Sequence, residues 1–164
     1  MREVLDLNKQ PLANSYLRNS IQKEKKYELK VNACLECTHL QLSIAVNPKL
    51  IYQNYDYVSG TTKTYLKYMK EFYNFCIKNS TKSVYKNILD VGCNDGSQLD
   101  VFKKNNFNTF GVDPAKNIYK ISSRKHKIYC DFFNKKVVKK IYMLVVHSIK
   151  FFIFTHICLT SLNY

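Results

Sequence analysis

The hydrophobic pattern of the chain changes period twice. In the first sixty residues it alternates. "KYELKVNACLEC" places Tyr27, Leu29 and Val31 on one face of an extended segment, and "THLQLSIAV" does the same through Leu40, Leu42 and Ile44. Period-two alternation predicts strands. The two runs bracket Cys34-Leu35-Glu36-Cys37 as the arms of a hairpin would. Pro48 ends the strand signal, and "KQPLANSYL", with Pro11, reads as an irregular entry. From Tyr55 the period becomes helical. Tyr65, Met69, Phe72 and Cys76 form a stripe widened by Leu66, Tyr73 and Phe75, with Thr61 or Thr62 as the cap.

An alternation of elements follows. Asn87–Val91 is an apolar strand that drops into a glycine turn, and a helix is expected over residues 97 to 104. A second strand spans Thr109–Val112, a helix opens at Pro114, and a third strand covers Lys127–Asp131. A β-α-β-α-β order predicts a parallel sheet with helices on its faces. The fold class is therefore α/β: a small β-rich module over residues 1–60, a Rossmann-like domain over 61–134, and a divergent apolar tail over 135–164. The tail is almost wholly apolar from Ile141 to Leu162. It is long enough for a spanning helix, with Lys135, Lys136, Lys139 and Lys140 as a basic flank. Lys150, His147 and His156 inside the run count against an anchor, and two buried sheet strands fit the composition as well.

Composition narrows the classes. The chain has 164 residues, with 26 Lys+Arg against 12 Asp+Glu and a formal net charge of +14. Such a charge suggests nucleic acid. The cations are nearly all dispersed lysines, however, with arginine only at Arg2, Arg18 and Arg124. Arginine is the favoured base reader and phosphate fork, so the charge is read as a solvated surface. The first thirty residues have no apolar signal segment, which points to a reducing, cytoplasmic setting. There a Cys-x-x-Cys pair means metal or redox chemistry more often than a disulfide. The other cysteines sit in apolar patterns and behave as small hydrophobes.

The candidate chemistry lies in "NILDVGCNDGSQLD". Gly92 and Gly96 flank Cys93-Asn94-Asp95 directly after a strand. Glycine permits positive φ and close approach of a ligand, and the following helix turns its N–H groups toward the same crevice. Asp113 ends the second strand about twenty residues on, where a carboxylate can accept both hydroxyls of a ribose. The dinucleotide pattern G-x-G-x-x-G fails, since Asn94 and then Ser97 or Gln98 stand where glycines would be. A pyrophosphate needs that close cradle. S-adenosylmethionine (SAM) carries no phosphate, and Asp90 suits a ligand with an amino group and a sulfonium. Asp131, at the end of the third strand, with Phe132 beside it, is a further candidate for the adenine.

These segments, with "LDLNKQPLANSYL", "YELKVNACLECTHLQL", "YQNYDYVSGTT" and "GVDPAKNI", resemble the SAM-dependent sugar C-methyltransferases that act on nucleotide-linked keto-sugars. The resemblance runs from residue 4 to about 133. It implies a zinc-binding N-terminal module, a class I methyltransferase domain and a further C-terminal domain. It implies that Gly92 to Gly96 line the methionine end of SAM, that Asp113 holds the ribose, and that Tyr57 and Ser59 approach the active site. The family's zinc takes two Cys-x-x-Cys pairs, and this chain offers Cys34 and Cys37. The family's catalytic base, a His beside a Glu, belongs to a region that this chain does not match. The expectation is a methyltransferase of a nucleotide sugar, truncated at both ends. The alternatives are a non-catalytic SAM-binding remnant or interaction protein, and a protein tethered to a membrane through residues 141–162.

Overall fold

A computed structural model describes residues 1–79, 86–145 and 151–155. Of the tail expectation, residues 146–150 and 156–164, with His147, Lys150 and His156, lie outside the described residues. The chain divides into two compact units, Met1–Tyr52 and Gln53–Tyr164. Residues 53–60, assigned above to the first module, thus fall in the second unit, as does the tail.

The first unit is a three-stranded antiparallel sheet in the order β1-β2-β3, with strands β1 (Arg2–Pro11), β2 (Lys26–Ala33) and β3 (Leu40–Leu42). A short helix, α1 (Pro48–Tyr52), closes it. The bracketing of Cys34 and Cys37 by two strands is found: Val31 pairs with Leu42 and Ala33 with Leu40. Strand β1 was not expected. It runs to Pro11 at the sheet edge, where a residue without an N–H is tolerated, and its register slips between Asp6 and Lys9. Asn8 takes φ 58° within that slip. These irregularities blur the alternation by which a strand is read.

The second unit is a four-stranded parallel sheet in the order β6-β5-β4-β7. Helix α2 (Lys63–Asn79) precedes it, and the Oγ1 of Thr62 accepts the N–H of Tyr65 at 3.3 Å, as the expected cap. Then come β4 (Asn87–Val91), α3 (Ser97–Lys104), β5 (Asn108–Val112), α4 (Lys116–Ser122), β6 (Lys127–Tyr129), α5 (Lys135–Val145) and β7 (Phe151–Thr155). Three expectations are corrected. Helix α4 opens at Lys116, not Pro114. Strand β6 ends at Tyr129, so Asp131 lies in the loop beyond it. The start of the tail is a helix, and among the described residues one strand follows it; an apolar run alone does not separate buried helix from buried strand. No helix among the described residues is long and apolar enough to cross a membrane.

Successive residues of β4 face opposite sides of the sheet. Ile88 packs with Cys76, Cys93, Leu99 and Phe102 under α2 and α3. Leu89 packs on the other side with Val112 and with Val137 and Ile141 of α5. The next strand in sequence, β5, lies to one side of β4, and β7 lies to the other. A crevice forms at such a switch of direction, outside the carboxyl end of the strand. The glycine turn begins there.

Candidate cofactor site

The turn after β4 is held by its neighbour strand. Gly92 and Cys93 both donate their N–H to the carbonyl of Val112, at 2.8 and 3.3 Å. Gly92 (φ 84°) and Gly96 (φ 81°) take the left-handed conformation that glycine adopts freely, and Asn94 joins them at 48°. Asp113 then clamps the turn to β5. One carboxylate oxygen accepts the N–H of Asn94 at 2.9 Å, and the other that of Ala115 at 2.8 Å. Asp113 is 5% exposed. Burial pushes its pKa up, against the pull of the two N–H groups. Both oxygens keep a second lone pair, which is what a ribose would have to use.

The segment 53–60 is stitched over this turn. Asn94 donates from Nδ2 to the carbonyl of Tyr57 at 3.0 Å and accepts the N–H of Ser59 at 2.9 Å. Asp95 accepts the N–H of Gly60 at 3.0 Å and the hydroxyl of Ser97 at 2.8 Å. Farther along, Tyr55 and Asn117 exchange two hydrogen bonds, and Lys116 donates its N–H to the carbonyl of Gln53. A side chain at Gly60 would sit 2.1 Å from Ser97 Oγ and 2.5 Å from Asp95 Oδ2, so only glycine lets the strap lie this close. Tyr57 and Ser59 are thereby held at the turn, Tyr57 with its ring half out in solvent.

Beneath the strap is a cavity of about 10 Å³ lined by Ser59, Tyr65, Met69, Asp90, Gly92, Cys93 and Gln98. That is room for one water-sized group. Asp90, among its lining residues, is 1% exposed. Burial and the carboxylates of Asp90 and Asp113 push the Cys93 thiol well above its usual range, so Cys93 is a packed neutral thiol. Burial also raises the phenol of Tyr65. Asp131 is exposed, and its Oδ1 accepts the N–H of Phe132 at 2.7 Å. Those two stand on the loop after β6, and no contact joins them to the glycine turn among the described bonds. Gln98 and the Tyr55–Gly60 strap have partners far away in sequence, which a local motif does not reveal. The signal for Gln98 is a polar residue on the buried stripe of α3, one turn before Phe102.

In the first unit, the knuckle at Cys34 is formed by backbone bonds from Cys34 N to His39 O (2.8 Å) and from Thr38 N to Cys34 O (3.0 Å). The N–H groups of Cys37 and Glu36, then the Cys37 thiol, lower the pKa of Cys34. Structural zinc takes four ligands in a closed tetrahedron. Among the described residues no cluster of three or more such ligands exists, and His39 does not group with Cys34 and Cys37.

A family model described as "Putative zinc binding domain" matches residues 1–52, the span of the first unit. Over 118 residues the chain is 24% identical to the C-methyltransferase NovU of Streptomyces niveus, covering 71% of this chain and 28% of that protein. Over that stretch the chain is similar to a C-methyltransferase. It spans little more than a quarter of that relative's length. Among solved structures, the plantazolicin methyltransferase BpumL in complex with SAH matches 43% of this chain and 30% of its own, at 19% identity and a TM-score of 0.33. The same enzyme with a pentazolic desmethylPZN analog and SAH matches 46% and 32%, at 20% identity and a TM-score of 0.35.

Proposed function

We propose that the crevice at the end of β4 binds S-adenosylmethionine, and that the whole protein is a SAM-dependent methyltransferase. The observation that carries this reading is one arrangement: a buried carboxylate at Asp90, a turn opened by Gly92 and Gly96, and Asp113 at the end of the adjacent strand. Asp90 faces the cationic amino-acid end, the Gly92–Gly96 backbone lies along it, and Asp113 reaches the ribose through its remaining lone pairs. SAM, when bound, supplies a methyl group on a sulfonium. SAM is far larger than the present cavity, so its entry requires the 57–60 strap to shift. The latch at Asn94 and Asp95 is made of hydrogen bonds whose net worth is about 0.5–1.5 kcal/mol each, within reach of a ligand's binding energy.

The likeness to a C-methyltransferase supports an acceptor methylated at carbon, and the sequence resemblance supports a small-molecule acceptor, a nucleotide-linked keto-sugar. Tyr57 and Ser59 are the residues of this chain proposed to border it. Asp131 and Phe132 remain the candidates for the adenine edge. Calorimetry with SAM tests the cofactor reading: heat with saturable binding is expected, and no heat from folded protein at high micromolar SAM refutes it. For the first unit we propose that Cys34 and Cys37 are thiolate ligands of a zinc ion.

A further inference from the structure

We propose that Gln98 is a recognition residue for the α-ammonium group of the bound cofactor; this rests on the SAM reading given above. Gln98 opens the buried face of α3 and is 2% exposed. Its Nε2 donates to the carbonyl of Met69 at 3.1 Å. That bond fixes the amide, because the flipped amide would set its oxygen against the Met69 carbonyl, acceptor against acceptor. Oε1 is left as an acceptor with no hydrogen-bond partner among the described residues. A buried acceptor of this kind is expected to serve a partner.

The cavity that Gln98 lines indicates which partner. Its volume of about 10 Å³ admits one small group, and the carboxylate of Asp90 shares its wall. A carboxylate ligand would be repelled there, and a hydroxyl offers one donor and no charge. A primary ammonium offers three donors and the complementary charge, and it is the size of a water. In SAM that group is the amine of the methionine end, the end for which the glycine turn lies nearest. Gln98 therefore selects ligands that carry the amine, while Asp113, at the other strand, acts on the ribose whether or not the amine is present.

The experiment compares two ligands on the full chain by calorimetry. S-adenosylhomocysteine carries the amine, and 5′-methylthioadenosine lacks the whole amino-acid end. In Gln98→Met the affinity for S-adenosylhomocysteine should fall by roughly ten-fold or more, as loss of a hydrogen bond to a charged group implies. The affinity for methylthioadenosine should change by less than about two-fold. Equal loss for both ligands would make Gln98 a merely structural residue and overturn the inference. So would no loss for either, and in that case the cofactor reading stands. Binding of neither ligand by the unaltered protein overturns both. If Gln98→Met does not fold, the α-deaminated analogue of S-adenosylhomocysteine decides the matter on the unaltered chain. It should bind roughly ten-fold more weakly than the parent, and equal binding overturns the inference.

Discussion

The two units are built from similar materials and hold together differently. In Gln53–Tyr164, Met69, Ile88, Leu99, Phe102, Val112 and Ile118 are each 1% exposed or less, and the sheet is packed on both faces. In Met1–Tyr52 no residue is buried: Leu5, Leu7, Leu40 and Leu42 are all 44% exposed or more. Below a certain size a domain cannot bury enough surface to offset its chain entropy, and metals are a usual remedy. The Cys34–Cys37 knuckle fits that need. The contrast teaches that the second unit is held by a packed core, whereas the first is held by its backbone ladders.

Core truncation is the strongest way to break this contrast. Leu99→Ala should cost about 2–5 kcal/mol by urea denaturation, while Leu42→Ala should stay within about 0.5 kcal/mol. Comparable losses would mean that the module has a core of its own. Next in size is the strap. Asn94→Ala removes the side-chain bonds to Tyr57 and Ser59 and should cost about 1–3 kcal/mol, with faster proteolysis between residues 53 and 62. Unchanged proteolysis would show that the latch does not hold the strap.

The pH dependence of the second unit sharpens the comparison further. His126 is buried with Nδ1 2.8 Å from Thr109 Oγ1. Burial lowers its pKa below the ordinary 6.5, and Asp100 opposes this. The unfolded chain therefore binds the proton more readily than the folded one. This contribution is fully present above pH 6.5 and is lost as pH falls from 6.5 toward the lower folded value. Melting curves should show that loss in the unaltered protein and a flatter profile in His126→Asn. The mildest test concerns the thiols. Cys34, with its lowered pKa, should react with iodoacetamide in native protein well before Cys93, which is buried and raised. Mass spectrometry of timed digests reads the order, and Cys93 reacting first would contradict the packing described.

Much of the second unit was legible because its signals are local. The stripe through Tyr65, Met69 and Cys76 became α2, and the run Ile88–Val91 with Gly92 and Gly96 became strand, turn and helix at the expected residues. Strand β1 was obscured by its bulged register and Pro11. The apolar stretch after residue 135 was ambiguous in kind, and only packing of Val137 and Ile141 on Leu89 makes it a helix. The candidate turn and Asp113 could be read from spacing. The double role of Asn94, the closeness of Gly60 to Ser97, and the spare acceptor of Gln98 could not, because each depends on a partner about 20 to 40 residues away in the chain.

The central claim is that the cofactor crevice is the one at the end of β4, under the strap. Amide hydrogen exchange of the full chain with and without S-adenosylhomocysteine tests it most directly. The account predicts altered exchange at Ser59 and Gly60 and across Asn94 to Ser97, with the Cys34–Cys37 knuckle unchanged. Saturable binding that leaves the exchange of all these strap and turn amides unaltered would contradict it.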